Sequence, residues 1–354
     1  MSTVLSIESD VGPLEREWEQ LAERSGASPF HRPGWMRAWS SAFGNGNLRL
    51  LALRRSGELS ALLPLQVGRG RLKSPTNWHT PTFGPIADRP EDVNELLAGL
   101  FDLEARSIDL SLLELEDGTL DLALEAARGA RRVVAARPLT RSPWVPLEGS
   151  WEDYERRLSK NRRKGLRQRR RKLEELGNVT VEIEMGDSRL DELLEQALVL
   201  EASGWKGRRG TAIGSRPETR SFYTQVARWA AERGWLRLAF LRLDGAPIAF
   251  DLSLERGPVR YSLKAGHALA YARYGPGVLL LYELLKDAHA AGLERFELLG
   301  HEDDFKLGWT DRVSDRAWLR ACAPTASGRA EATIVRARER VRPVAARLRD
   351  RISP

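Results

Sequence analysis

The sequence predicts an α/β protein built from two related mixed-sheet units, and three observations carry that prediction. The first is length: 354 residues are more than one hydrophobic core usually serves, since domains run at roughly 100–150 residues. The second is an internal repeat. Leu48 to Gly57 aligns without gaps on Leu236 to Gly245, and a second alternating run follows each, Ala61-Leu62-Leu63-Pro64 in one case and Ala249-Phe250-Asp251-Leu252 in the other. The third is what precedes each copy: a helical segment, Trp35 to Phe43 and Pro217 to Gly234. Period-two runs joined at Ser-Gly or Asp-Gly read as hairpins, because those dipeptides tolerate the positive φ of a tight turn. Matching flanks turn two hairpins into a duplicated unit.

The Pro- and Gly-bearing stretch Pro143 to Ser150 marks the boundary. An N-terminal domain is expected over 1–148, a C-terminal domain over 149–323 and an arginine-rich helical tail over 324–354. Just past the boundary, Arg156 to Lys172 holds eleven Lys or Arg and no acid, more than the whole chain's net +7, so the remainder is net acidic. Tyr154, Leu158, Leu166, Leu173 and Leu176 form a thin apolar stripe at helical spacing, which predicts one connecting helix docked by a narrow edge. Gly165 weakens its middle and Gly177 stops it. The second half then reads as a strand over 179–185 and a helix over 190–202, with a second helix starting at Pro217. Strands over 235–243, 247–255 and 259–265 follow. A glycine-bearing loop, Tyr271 to Gly277, opens a helix over 278–291, and a strand at 295–299 closes the unit.

Composition excludes some functions. One cysteine, Cys322, cannot make an internal disulfide, and with five scattered histidines it supplies no Cys-rich metal site. No metal is expected. No apolar run approaches the roughly 18 residues of a membrane span, and Met1 to Gly12 lacks the pattern of a secretory signal. A soluble cytoplasmic protein is expected, with Arg156 to Lys172 available for tRNA, another phosphate-rich partner or the anionic inner face of a membrane. A plain solvated helix face is the competing reading, since no aromatic platform interleaves the charges.

A helix opening from a Gly-rich loop presents unpaired N–H groups and a positive dipole end, which suits a pyrophosphate. Gly275, Gly277 and Val278 are the backbone candidates, with Arg273 and Tyr274 adding a charge and a hydroxyl. A plain turn with proline at the helix start explains the same residues.

The order of elements around Arg273 to Gly277 resembles the GNAT acyltransferase fold. More narrowly, Glu201 to Gly207, Tyr274 to Leu280, Phe296 to Gly300 and Phe305-Lys306-Leu307-Gly308-Trp309 resemble the CelD-like, cellulose-biosynthesis-associated acetyltransferase branch, related to the FemAB aminoacyltransferases. Phe30, Trp35, Trp39 and Phe43 resemble the opening of that group's N-terminal half. The resemblance implies tandem GNAT-like domains, the first degenerate, with acetyl-CoA or another acyl-CoA as co-substrate and the pyrophosphate held by the 273–278 loop. Two departures stand out. The loop is one residue short of the Arg-x-x-Gly-x-Gly signature, and Glu297 and Phe305 stand where the branch more often has Asp and Tyr.

The residues themselves add candidates. Lysine is scarce in this chain, yet Lys206, Lys264 and Lys306 sit beside apolar residues instead of in charge runs. A compact ammonium suits an oxyanion or carboxylate; snorkelling at a strand edge is the alternative for Lys264. Glu297, at a strand end, is a candidate base, or the partner of an arginine such as Arg295 or Arg320. His301 is the other candidate base, because imidazole titrates near neutrality, or it is a simple loop residue. Trp205 and Trp309 are expected to wall an acceptor pocket. The reading is direct N-acyl transfer to an amine of a sugar, lipid or cell-envelope precursor. A FemAB-type aminoacyl-tRNA-dependent transferase and a non-catalytic scaffold of a polysaccharide-synthesis complex are the alternatives.

Overall fold

The computed structural model describes residues 3–9, 11–186, 188–203 and 216–334. The chain divides into two compact units whose membership cuts across the linear segments. The first comprises Met1–Pro33, Gly44–Thr140 and Asp315–Pro354; the second comprises Gly34–Phe43 and Arg141–Ser314.

In the first unit, β1 (Thr3–Glu8) and α1 (Glu15–Arg24) precede β2 (Leu48–Arg55), β3 (Glu58–Gly68), β4 (Arg71–Lys73) and β5 (Ile86–Ala87). The helix α2 (Pro33–Phe43) intervenes in sequence but belongs to the second unit from Gly34 on. Next come α3 (Pro90–Asp102), β6 (Ser107–Glu114), α4 (Thr119–Gly129) and the first part of β7 (Val133–Pro146). The sheet order is β1-β2-β3-β4-β6, with β5 beside β3, and β13 (Val313–Cys322) adds to β6 from the far end of the chain. Leucines of α3 and the inward faces of β2, β3 and β6 make its core.

In the second unit, α5 (Trp151–Arg157), α6 (Lys160–Glu174), β8 (Val179–Glu184), α7 (Leu190–Ser203) and α8 (Pro217–Glu232) lead into the meander β9 (Leu236–Leu243), β10 (Ala246–Arg256) and β11 (Val259–His267). A 3₁₀ turn, Leu269–Tyr274, hands over to α9 (Pro276–Ala290), β12 (Arg295–Glu297) and the short α10 (Asp304–Leu307). The end of β7 pairs with β12, and the order continues β12-β11-β10-β9-β8. Apolar residues of α9, including Leu280 and Leu284, pack with α6 and the sheet into one core. α2 joins this unit because its aromatic side chains have a place to go: fully buried Trp35 stands edge-on to Phe222 of α8 at 5.1 Å, and Phe43 lies 5.2 Å from the same ring.

The repeat is physical. Both hairpins turn through the expected dipeptides, Ser56-Gly57 with φ of 51° and 90° and Asp244-Gly245 with φ of 48° and 82°. Each hairpin is followed by a strand with a parallel partner beyond a helix: β4 with β6 across α3, and β11 with β12 across α9.

The connecting basic segment is two helices where one was expected. Ser150 caps α5 in a capping box with Asp153, and Ser159 caps α6 by accepting Arg162 N–H at 3.1 Å. A serine that bonds the backbone two to three residues on starts a new helix more readily than it continues an old one. Leu166 and Leu173 dock α6 as expected, whereas Leu176 lies past its end, 45% exposed.

Candidate active site

The parallel strands β11 and β12 are in register over only three residue pairs, ending at Tyr261 and Glu297. Beyond that point β11 runs on to His267 while the segment after β12 turns away through Leu298, Leu299 and Gly300. The split leaves a cleft of about 250 Å³ lined from both sides by Ser262, Lys264, Leu298, Leu299, Phe305 and Lys306. Its inner wall is α9, through Gly277, Leu280, Leu281 and Leu284, and Asp251 of β10 lines it as well.

The start of α9 is built to be open. Gly275 takes φ +62 as its N-cap, a conformation that costs a side-chain-bearing residue roughly 1–2 kcal/mol, and a Cβ there would also strike the Arg169 guanidinium of α6. Pro276 has no N–H, and Val278 donates to Gly275 O at 3.0 Å. Gly277 is therefore the position of this turn whose N–H has no acceptor among the described residues. Val278 is spent within the turn. Arg273 donates to Tyr274 Oη at 2.6 Å and lies over its ring, so the pair shapes the loop as one unit.

The remaining expected residues separate. Lys306 lines the cleft, and its Nζ donates at 2.7 Å to both Leu299 O and His301 O, tying the turn after β12 to α10. Asp303 caps that short helix by accepting Lys306 N–H at 2.8 Å. Lys264 also lines the cleft, with Nζ 5.1 Å from the Tyr223 ring centre. Glu297 is buried but is not part of the cleft lining. It is held by Arg295 at 2.6 Å, whose guanidinium also covers Trp144 and donates to Ser314. His301 is an exposed loop residue whose backbone carbonyl, as above, serves Lys306. Trp309 is 3% exposed and lines a different cavity, where Arg162 stacks 4.4 Å above its ring and donates to Phe305 O. Burial pushes the Arg162 guanidinium down from its ordinary value. Trp205 and Lys206 lie outside the described residues. Tyr282 donates to Glu155 at 2.8 Å; burial first, and that carboxylate second, raise its pKa.

Sequence reasoning missed Asp251 and the role of α6. Asp251 alternates between Phe250 and Leu252 and reads as an ordinary strand position. Its signal was a charge in an otherwise apolar strand core. Among the described residues no group of three His, Cys, Asp or Glu is placed to hold a metal, and no helix is long and apolar enough to cross a membrane.

The split in the first unit is closed by its own chain. Residues 74–83 cover β6 where β4 leaves it: Ser74 N–H bonds Asp109 O at 2.8 Å, Phe83 N–H bonds Leu112 O at 3.0 Å, and His79, Thr80 and Thr82 are buried. The first turn of α3 holds the fully buried Asp92, which accepts from Ser60 and Arg55, both at 2.5 Å, and from Arg89 at 3.2 Å.

Residues 160–307, from the start of α6 to the end of α10, match the family model described as an acetyltransferase (GNAT) domain. The chain carries a GNAT acetyltransferase domain. Its boundaries enclose the split strands, the α9 turn and Lys306. A search of curated proteins finds no match. Among solved structures the chain is similar to FemX, at 13% identity with 90% of this chain and 97% of that one covered and a TM-score of 0.60. It is also similar to a conserved protein of unknown function from Bacteroides thetaiotaomicron, at 10% identity, 90% and 100% coverage and a TM-score of 0.57. A third likeness is to the C-terminal domain of a candidate lysylphosphatidylglycerol synthetase from Agrobacterium fabrum, at 15% identity, 91% and 96% coverage and a TM-score of 0.54. At these identities the likeness is one of fold.

Proposed function

We propose that this GNAT enzyme transfers an acyl group, acetyl in the simplest case, directly from acyl-CoA to an amine of a sugar, lipid or cell-envelope precursor. The observation that carries this reading is the split between β11 and β12 at the open turn of α9. A pyrophosphate placed there meets Gly277 N–H, the dipole of a 15-residue helix and the Arg169 guanidinium packed against Gly275. Lys306, by fixing the carbonyls of Leu299 and His301, sets the shape of the opposite wall and acts as a positioning residue. Glu297 stays with Arg295 in this reading, and His301 stays a loop residue. Direct transfer is favoured because Cys322 is buried in the first unit, where burial pushes its thiol up and away from the nucleophilic thiolate. The closed split and the buried Asp92 support reading the first unit as a degenerate copy that holds no donor. Membership of the CelD-like branch and a role in polysaccharide assembly rest on the motif residues alone.

Calorimetry with acetyl-CoA tests the reading on the wild type and on Gly277→Glu. A Cβ at Gly277 meets only His267 Nδ1 at 3.6 Å, and an acid in a first helical turn favours the helix, so the variant keeps its fold. Its carboxylate repels a pyrophosphate. Binding by the wild type and its loss in the variant are expected; equal binding by both would sink the site.

One observation favours a second reading, an aminoacyl-tRNA donor. Lys160, Lys164, Arg167 and Arg171 are exposed and recur at i, i+4, i+7 and i+11, a stripe of about 16 Å at 1.5 Å per residue. Arg162 and Arg170, which face inward and hold Phe305 O and Glu283, are structural. If the wild type binds no CoA, salt-sensitive tRNA binding that disappears when the four outward charges become Gln supports this donor instead.

A further inference from the structure

The second cavity, of about 490 Å³, opens where the residues after α10 meet the start of α6. Arg157, Ser159 and Arg162 line it from one segment, and Gly308, Trp309 and Asp311 from the other. Its cations are unanswered. Arg162 donates through Nη2 to Phe305 O and covers the Trp309 ring, and beyond that structural role it has no carboxylate partner among the described residues. Arg157 donates to the Glu148 carbonyl and likewise has no carboxylate partner among them. Asp311, the one carboxylate of the lining, is exposed and pairs with neither arginine. A guanidinium taken out of water without a counter-charge is costly, and Arg169 repels this one as well. The fold nevertheless keeps Arg162 in place: a Cβ at Gly308 would displace its guanidinium. Further donors are spare. Trp309 is 3% exposed, and its Nε1 N–H is buried with no acceptor among the described residues, although buried indole N–H groups usually find one. The 15-residue α6 also starts at this cavity, and its first turn holds Lys160, Arg162 and Arg163 but no acid, the reverse of what its dipole favours.

We propose that this cavity binds a phosphoryl group, held by the guanidiniums of Arg157 and Arg162, the Trp309 indole N–H and the start of α6. A dianion answers two guanidiniums at once, and its several oxygens accept from a planar fork, an indole and a helix start together. A volume within the range of ligand pockets leaves room for what the phosphoryl group is attached to. The place of the cavity gives it a use. Phe305 and Lys306 line the cleft, and the next residues of the chain, Leu307, Gly308 and Trp309, line this cavity, with Arg162 bonded to Phe305 O between them. The phosphoryl group has two possible sources: a phosphorylated acceptor whose amine enters the cleft, or the ribose phosphate of CoA. That use rests on reading the cleft as the transfer site; the binding of phosphate does not.

The test follows the Trp309 indole N–H in proton–nitrogen correlation spectra of the full chain, its signal assigned by its loss in Trp309→Phe. Sodium phosphate is titrated in, with sodium chloride at matched ionic strength as the control. The signal is expected to move downfield and saturate with phosphate and to ignore chloride. Arg162→Gln should abolish the response. Arg157→Gln, at an exposed position, serves if that variant does not fold; it should weaken phosphate binding about tenfold, the size of one charge-assisted hydrogen bond, at an unchanged melting temperature. A wild-type signal that ignores phosphate, or one that responds equally in Arg157→Gln, overturns the proposal. Repeats under saturating CoA and dephospho-CoA separate the sources. Phosphate binding alongside CoA assigns the site to the acceptor; exclusion by CoA but not by dephospho-CoA assigns it to the ribose phosphate of the donor. Binding of CoA with no response to phosphate would sink this site and leave the transfer reading standing, and phosphate binding without CoA binding would do the reverse.

Discussion

Gly277 and Asp92 occupy the first turns of corresponding helices and make them opposite in use. At α9 the turn offers an N–H with no acceptor among the described residues and an arginine beside it. At α3 a carboxylate from the chain itself fills the turn and is gripped by Ser60, Arg55 and Arg89. Burial tends to raise the pKa of Asp92, but those three donors outweigh it and hold the group below its ordinary value. A depressed folded pKa means that the stabilisation is present above the unfolded value of about 3.9 and is lost as pH falls through the folded one. Asp92→Asn should therefore cost about 3 kcal/mol at neutral pH, the range for breaking a buried ion pair from one side. The deficit should shrink as the wild type is acidified below about pH 4. Urea melts of the two proteins at pH 7 and pH 3 check both statements. The variant should bind acetyl-CoA like the wild type, since Asp92 belongs to the split that the chain has closed.

At the scale of elements, the hairpins were legible because period-two alternation and a Ser-Gly or Asp-Gly turn are local properties. The order of the second unit was legible for the same reason, down to the helix opening at Gly275-Pro276. What local pattern could not reveal is where an element packs. Trp35, Trp39 and Phe43 announce a helix with an aromatic face, yet nothing near residue 40 says that this face meets Phe222 of α8. The break at Leu158-Ser159 was hidden because the apolar stripe runs through it, and only the serine side chain, bonded to Arg162 N–H, interrupts the helix. Of the residues that spacing and residue choice single out, Gly277 and Lys306 both line the cleft. Asp251 was not legible, because the β10–β11 bulge that brings Ser253 and Ser262 to its carboxylate is a property of strand pairing. Trp35→Ala measures the packing of α2 directly. The side chain is fully buried, so truncation should cost about 3–5 kcal/mol, and hydrogen exchange should show the loss in α8 at Phe222 and its neighbours.

For the whole molecule, the two units are variations on one plan: a hairpin, a strand, a helix crossing and a parallel partner strand. Their difference is in what fills the split between the parallel strands. One is sealed by residues 74–83, and the other is a cleft with a helix start, two lysines and a buried carboxylate. The central claim is that donor binding belongs to the second split alone. Deuterium exchange of the full chain with and without CoA tests it most directly. The account predicts slowed exchange in segments 262–266 and 275–280 and no change in 74–92. Slowed exchange confined to 74–92, or none in either segment of the second unit at saturating CoA, would contradict it.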